Sequence, residues 1–378
     1  AAQRRLLLAH ESDPDFFTAL IWAGWNAEYN LGVGSETVRQ RDSIWTILFE
    51  NQAELSPYER AVTRSWQARV ENDREGYARA LEEACDMGPG SMACFDLAVV
   101  LFQILHRPEA AIEVLTTRLV PEQGWLRGWA PYWTWLAWAY HVMGDFTSEL
   151  EVAKEYRTLY PGITTAVEAH LAALAGLGRV DEVFLFLEDS LPAIGEPGQT
   201  TLVSRIGNYF FHLGEDEEAI RAWQLALGRY EDLISADPSS VFLHLAAGHE
   251  LRSLGRQKEA KEYWEAAESL SPGDWYNWYV RPSLGIAAAW EGNERDARAT
   301  MAWLDTQEDR DLPSRLTFKA FIAEALGEEE EAVGYLRELW THPDMYLFHQ
   351  YWRLDVFPLL RGHPAYEDLY WPEGRGER

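Results

Sequence analysis

Residues 124–145, GWLRGWAPYWTWLAWAYHVMGD, contain five tryptophans within fourteen positions. In this stretch Trp133, Leu136, Ala137 and Tyr140 follow one another at spacings of three, one and three residues, which places them on one face of a helix. A small residue between large apolar ones lets two helices approach closely, and the large rings fill the space beside the contact. The stretch therefore predicts a helix that packs against a partner helix and ends near Gly144.

Glycine-containing breaks of the same kind recur along the chain, each followed by an acid-rich helix start. Successive glycines lie 34, 36, 41, 37 and 35 residues apart, and after the last four an alanine follows five residues later. A repeat of this length is typical of a solenoid built from helical hairpins. The glycines are Gly144, Gly178, Gly214, Gly255, Gly292 and Gly327.

The repeat resembles the tetratricopeptide repeat. Trp133 to Tyr140 is similar to its first-helix signature W-x2-L-G-x2-Y, with alanine in place of glycine, and Val203 to Phe210 follows the same template. Ala260 to Pro272 is similar to the second-helix signature, in which alanine and a large aromatic residue precede a proline. The resemblance implies an all-α fold: a right-handed superhelical solenoid of helix–turn–helix repeats with a short helical C-terminal cap.

Three regions follow from how closely the chain keeps this pattern. Residues 1–127 are expected to be divergent helical hairpins, with helices near 14–31, 35–54, 57–71, 73–87, 91–105 and 108–119. Residues 128–341 are the repeats closest to the family pattern, and residues 342–378 are capping helices and a tail. The last region resembles the closing segment of tetratricopeptide regions in bacterial signalling proteins, which implies a bacterial source. The matching residues are Asp355, Phe357, Leu360, Arg361, Pro364, Tyr366 and Leu369.

Composition excludes several classes of function. The chain has 378 residues, of which 61 are acidic and 33 basic, and its net charge of −28 repels nucleic acid and anionic membranes. No apolar run reaches the roughly 18 residues that a membrane span needs, so membrane insertion is not expected. The sequence contains no phosphate-binding loop, zinc-protease or nucleophile-elbow motif. We therefore expect no enzyme activity, no cofactor and no metal site.

The only two cysteines, Cys85 and Cys94, flank the turn Gly88-Pro89-Gly90. Two successive helices that meet at this turn could bring the thiols within bridging range, which would favour an exported protein, periplasmic or extracellular. Alternatively, the cysteines are two small buried thiols in a tight turn, as in a cytoplasmic protein. The sequence leaves both possibilities open.

The resemblance also implies where a partner binds, because first helices form the concave face of a tetratricopeptide solenoid. Residues of these helices that lie outside the packing template line that face. We expect a protein or peptide partner there, or another copy of the chain. The positions carried over are Thr134, Trp138, His141, Asn208, Phe211, Phe242, His249, Arg252, Tyr279 and Phe321.

Three functions compete at this stage. The first is a non-catalytic scaffold that binds proteins through this aromatic groove. The second is head-to-tail self-assembly into filaments or oligomers, since a solenoid has unlike ends. The C-terminal aromatic residues could supply that contact or could cap the last repeat: Tyr346, Tyr351, Trp352, Tyr370 and Trp371. The third is glycan binding by exposed tryptophans such as Trp125, Trp129 and Trp138, which could instead pack under the loop at 120–130.

Overall fold

A computed structural model shows a chain that is helical apart from turns and short connections in the parts it describes. The helices lie in two compact units, one within residues 1–135 and the other within residues 136–341 and 357–370. The division falls between Trp135 and Leu136, so the boundary expected at 127/128 stays a prediction from repeat type. The described residues are 2–29, 35–121, 124–191, 195–196, 198–271, 273–307, 312–341 and 357–370.

The first unit consists of helices joined by short turns. Six of them fall where the sequence pattern predicts them, and the pattern does not predict α1. A short 3₁₀ turn, Gly124–Leu126, follows the last of them. The helices are α1 (Ala2–Ser12), α2 (Phe17–Tyr29), α3 (Ser35–Glu50), α4 (Pro57–Val70), α5 (Arg74–Met87), α6 (Met92–Gln103) and α7 (Pro108–Thr117).

The second unit continues from α8, which spans the division, as successive helix pairs. In each pair the second helix packs against the first, as α13 does against α12 and α15 against α14. The helices are α8 (Pro131–Met143), α9 (Phe146–Leu159), α10 (Thr164–Gly176), α11 (Val180–Ser190), α12 (Gly198–Leu213), α13 (Asp216–Ala236), α14 (Val241–Ser253), α15 (Gln257–Leu270), α16 (Asp274–Trp290), α17 (Glu294–Asp305), α18 (Leu312–Ala325), α19 (Glu329–Thr341) and α20 (Pro364–Tyr370).

The glycines that mark the sequence repeat end the first helix of each pair. All six adopt positive φ between 68° and 85°, the left-handed conformation that costs glycine least. At Gly255 the next amide, Arg256 N, donates to Leu251 O at 2.8 Å, which closes the last turn of α14. This is the six-to-one hydrogen bond of a Schellman ending. The repeat period in the sequence therefore corresponds to one helical hairpin.

The small residues of the template hold the helices of a pair together. A Cβ added to Gly207 would lie 2.4 Å from the Trp223 ring, and one added to Gly248 would lie 2.2 Å from the Trp264 ring. In the α8 pair the small position is Ala137, which is buried in a cluster with Ala153 and Ala169. The all-α solenoid of helical repeats predicted from the sequence is confirmed.

Candidate binding groove

The predicted groove residues lie on α8, α12, α14, α16 and α18, the first helices of their pairs. Phe242 is the most open of them, with 46% of its surface exposed, whereas Phe211 and Phe321 are buried. Thr134, Trp138, His141, Asn208, His249, Arg252 and Tyr279 are half-buried. The first-helix face is therefore only partly open in this structure.

Two of the predicted groove residues are engaged in packing within their own pair. Asn208 accepts a hydrogen bond from Trp223 Nε1 at 2.8 Å. The His249 ring lies 5.4 Å from the Trp264 ring, and burial, followed by the charge of Arg252, lowers the pKa of His249 to about 3. The neutral imidazole of His249 and the hydrogen-bonded amide of Asn208 thus stabilise their own hairpins and are less available to a ligand.

His141 starts a polar row on this face that sequence reasoning missed. Its Nδ1 lies 2.9 Å from Glu149 Oε2, and its ring lies 5.0 Å from that of Tyr209. Tyr209 donates to Glu168 Oε1 at 3.4 Å, and Arg205 Nη1 lies 2.7 Å from Glu168 Oε2. Ionisable groups of α8, α9, α10 and α12 are thus joined beneath the surface of the second unit.

Two further buried glutamates, Glu250 on α14 and Glu324 on α18, lie further along this face. Ser204 donates to Glu250 Oε1, and Arg252 Nη1 lies 4.0 Å from Glu324 Oε2. Burial raises the pKa of Glu250 and that of Glu324 to about 7, although the Ser204 hydrogen bond and the charge of Arg252 oppose it. Both carboxyl groups therefore titrate near neutrality.

A weak signal in the sequence could have identified these glutamates. Many acids in the repeats stand at the start of second helices, whereas Glu168, Glu250 and Glu324 are the only acidic residues of α10, α14 and α18. A single carboxylate on an otherwise apolar first helix faces burial, which is costly unless the group is hydrogen-bonded or paired. The abundance of acids elsewhere concealed that pattern.

The C-terminal segment 357–370 covers part of the predicted groove. The Phe357 ring stacks on Phe321 with centroids 4.5 Å apart, and Leu359 N donates to Glu324 Oε1 at 2.9 Å. The Arg361 guanidinium carbon lies 3.8 Å from the centre of the Phe211 ring. These contacts contribute to the burial of both groove phenylalanines, and Phe211 also packs against the Trp223 ring.

Arg361 binds more than the ring beneath it. Its guanidinium also donates to the carbonyl of Phe211 and to the Asp216 carboxylate. The segment therefore contacts α12, α13 and α18 together. The other C-terminal aromatic residues proposed for self-association, Tyr346, Tyr351, Trp352 and Trp371, lie outside the described residues, as does the side chain of Tyr370.

Two of the tryptophans considered for glycan binding, Trp125 and Trp129, are packed within the first unit. Trp125 Nε1 donates to Gly90 O at 2.7 Å, and its ring lies 6.2 Å from that of Trp22. The Trp129 ring meets Phe95 edge-on at 4.5 Å. The indole N–H of Trp125 is therefore engaged, and both tryptophans are half-buried.

The turn beside this cluster holds the two cysteines. Cys85, near the end of α5, and Cys94, near the start of α6, are joined by a disulfide, with Cα atoms 4.7 Å apart. Both side chains are buried.

The residues that the structure describes contain no group of three or more histidine, cysteine or carboxylate side chains placed to hold a metal. Among the same residues, no helix is long and apolar enough to span a bilayer.

Comparison with known protein families supports the repeat assignment. A family model for the tetratricopeptide repeat matches residues 243–274, which cover most of the α14–α15 hairpin. Residues 243–274 therefore match a tetratricopeptide-type repeat. No curated protein matches the chain.

Several solved structures of low identity are similar to this chain. A tetratricopeptide repeat protein from Parabacteroides merdae is 14% identical, with 75% of this chain and 92% of that chain covered and a TM-score of 0.35. A Rap protein in complex with competence and sporulation factor is 12% identical, with 84% and 96% covered and a TM-score of 0.36. The apo form of RapI is 13% identical, with 86% and 96% covered and a TM-score of 0.41.

Proposed function

We propose that this tetratricopeptide-repeat protein is a non-catalytic scaffold that binds a peptide segment of a partner protein on the first-helix face of its second unit. The observation that carries the proposal is the segment at 357–362, which does not follow the repeat and is nevertheless bound on this face. The face contacts the backbone of this segment at Leu359 N and its side chains at Phe357 and Arg361. A scaffold uses contacts of both kinds to bind an extended or turn-forming peptide.

The chemistry of the face suits such a ligand. Aromatic rings bury a large area at a small cost in side-chain entropy, and they dominate many binding hot spots. Phe242, on α14, is still exposed and offers such a ring to a partner. The Asp216 carboxylate beside the Phe211 ring favours a basic or polar segment over an acidic one.

The test is peptide binding by the intact chain. An array of diverse 15-residue peptides is screened with the fluorescently labelled protein, and hits are measured by anisotropy. Phe242→Ala should weaken the hits by about tenfold or more, since a hot-spot ring contributes roughly 1–2 kcal/mol or more. The matched control is Leu185→Ala on the second helix α11, where 69% of the residue is exposed.

Equal binding by wild type, Phe242→Ala and Leu185→Ala would contradict a site on the first helices. Thermal unfolding of the three proteins checks that the substitutions leave stability unchanged, which is expected because both side chains are exposed. Self-assembly and glycan binding stay predictions from the sequence; light scattering and tryptophan quenching by oligosaccharides test them separately.

The disulfide between Cys85 and Cys94 also bears on where the protein functions. We propose that the protein functions in an oxidising environment, because disulfides between buried cysteines persist there and are rare in the cytosol. Alkylation of the protein from its native source, before and after reduction, tests this directly.

A further inference from the structure

We infer that residues 357–361 are an internal ligand of the groove, and that the partner presents a similar segment: an aromatic residue followed by leucine and arginine three and four positions later. This inference rests on the proposed function, because it names the chemistry of the ligand that the same face binds. The internal segment then competes with the partner for the face.

The segment 357–361 makes contacts that a cap does not require. A cap needs only to cover the apolar end of the last hairpin, α18 and α19. Arg361 instead lies on Phe211 and reaches Asp216, which belong to the α12–α13 hairpin, three pairs earlier in the chain. The segment therefore spans the first-helix face across several repeats.

Each contact of the segment 357–361 defines a feature of the ligand. Phe357 stacks on Phe321 at an interplanar angle of 21°, and the Arg252 guanidinium carbon lies 4.0 Å from the same Phe321 ring, so this subsite takes a flat ring. The arginine subsite combines the Phe211 ring with the Asp216 carboxylate, a combination that suits a planar guanidinium better than an ammonium.

A turn in the segment sets the spacing between the aromatic and the arginine subsites. Residues 358–362 form turns, and Leu360 N donates to Phe357 O at 3.1 Å, which holds the aromatic and the arginine on one side of the segment. Leu360 is fully buried, whereas Leu359 is 58% exposed and contributes mainly its N–H to Glu324. The ligand pattern is thus aromatic-x-x-Leu-Arg, with position three free to vary.

Competition follows from the covalent connection. Fifteen residues, 342–356, separate the end of α19 from Phe357. A segment tethered in this way has an effective concentration on the order of millimolar at its site, so a free peptide of the same sequence binds weakly until the tethered copy is removed. A cellular partner must therefore bind more tightly or at more than one position.

The experiment measures binding of a fluorescent peptide that copies residues 355–370 to the full chain by anisotropy. The double substitution Phe357→Ala with Arg361→Ala vacates both subsites, and the peptide should bind this protein at least about tenfold more tightly than wild type. A peptide carrying Arg361→Ala should lose most of that gain. Leu359→Ala in the full chain is the matched control and should behave as wild type.

Hydrogen exchange at the Leu359 amide reports whether the segment has left Glu324, and circular dichroism reports folding. If the amide exchanges faster in the double variant but the peptide still does not bind, the segment is only a cap and the inference is wrong. If the peptide binds the wild type, the control and the double variant equally, the segment does not compete and the inference is also wrong. Should the double variant unfold, Arg361→Ala alone is judged by the same two measurements.

These outcomes are separable from those of the proposed function. Loss of peptide-array binding in Phe242→Ala supports a partner site whether or not residues 357–361 leave the face. A scaffold that binds array peptides while the Leu359 amide stays protected would retain its proposed function and overturn the internal ligand.

Discussion

The two units end their helices in different ways. In the second unit the residue that takes the left-handed conformation at the hairpin turn is always one of the six repeat glycines, as at Gly255 with φ 70°. In the first unit Asn72 and His106 take it, at φ 58° and 55°. After Asn72 the next amide, Asp73 N, donates to Ala68 O at 2.8 Å, the equivalent of the bond after Gly255.

The difference shows that one backbone geometry can be encoded by different residues. Glycine enters the left-handed region without strain, whereas asparagine and histidine are among the few other residues that do so at moderate cost. A repeat search that follows glycines therefore finds the second unit and weakens over residues 1–127. The remaining comparisons between the units can be tested by substitution, starting with the largest expected effect.

Reducing the disulfide between Cys85 and Cys94, or replacing both cysteines with alanine, should destabilise the first unit by about 2–3 kcal/mol. The bridge closes a loop with a sequence separation of nine, and the chain-entropy estimate for such a loop lies in this range. Hydrogen exchange of the α5 and α6 amides measures the effect. Reductant added to the double-alanine protein is the control and should change nothing.

In the second unit, where no cysteine occurs, close helix packing depends on glycine. Gly248→Ala should lower the free energy of unfolding by about 1–3 kcal/mol, because the new Cβ would overlap the buried Trp264 ring. Gly228→Ala, on α13, is the matched control: nothing lies within 4 Å of its added Cβ, so the change should stabilise by about 0.4–1 kcal/mol. Urea denaturation followed by tryptophan fluorescence measures both effects. If the two substitutions changed the free energy of unfolding in the same direction, this interpretation would be wrong.

The units should also differ in the sign of their pH dependence. Glu250 has a pKa of about 7 in the folded chain against an ordinary value of 4.5, so the folded state holds a proton that the unfolded state releases. Its contribution to stability is complete below about pH 4.5 and is lost as the pH rises through 7. Hydrogen exchange of α14 amides should show a loss of about 1–2 kcal/mol between pH 6 and pH 8. Replacing both Glu250 and Glu324 with glutamine should remove it.

Glu59 in the first unit provides the opposite case. Burial alone would raise its pKa, but hydrogen bonds donated by Thr18 and by Ser56 outweigh burial and lower it. Its contribution to stability is present above its unfolded pKa and is lost as the pH falls through the lower folded value. The lowered pKa of His249 contributes to the pH dependence of the second unit with the sign opposite to that of Glu250, so the comparison with the glutamine variant is decisive. A pH dependence that stays unchanged when Glu250 and Glu324 are glutamine would contradict the assignment of Glu250 as a protonated buried carboxyl.

The smallest effect concerns the helix endings themselves. Gly255→Ala should cost about 1 kcal/mol through backbone strain alone, because nothing lies within 4 Å of the added Cβ. Asn72→Gly, at an exposed turn of the first unit, should change stability by less than about 0.5 kcal/mol, since asparagine already tolerates this conformation. Urea denaturation measures both changes in the free energy of unfolding. If Asn72→Gly cost as much as Gly255→Ala, asparagine would do more at its turn than adopt the left-handed conformation, and the two kinds of turn would not be equivalent.

Much of the fold was predictable because it depends on local pattern. Helix positions, glycine endings and the contact of Gly207 with Trp223 all follow from residues within one hairpin. Trp135, which lies outside the packing template, packs edge-on against Phe102 at 5.9 Å, a partner that no local pattern indicates.

The groove was predictable in part, for the same reason. The predicted groove residues lie on first helices, as the pattern indicates. The pattern does not indicate that Phe321 is covered by Phe357, 36 residues further along the chain, or Phe211 by Arg361, 150 residues further along. The buried glutamates were missed because their burial depends on neighbouring hairpins rather than on their own helix.

By itself, the sequence determined the elements of this protein: helices of known length, paired by small residues against tryptophans, with turns that only a few residue types can form. These properties are local, since they depend on side chains three to twenty positions apart. Only the tertiary structure decided which parts of the first-helix face are occupied and which carboxyl groups lose their water. Both depend on residues far apart in the chain whose distance in space no short-range pattern encodes.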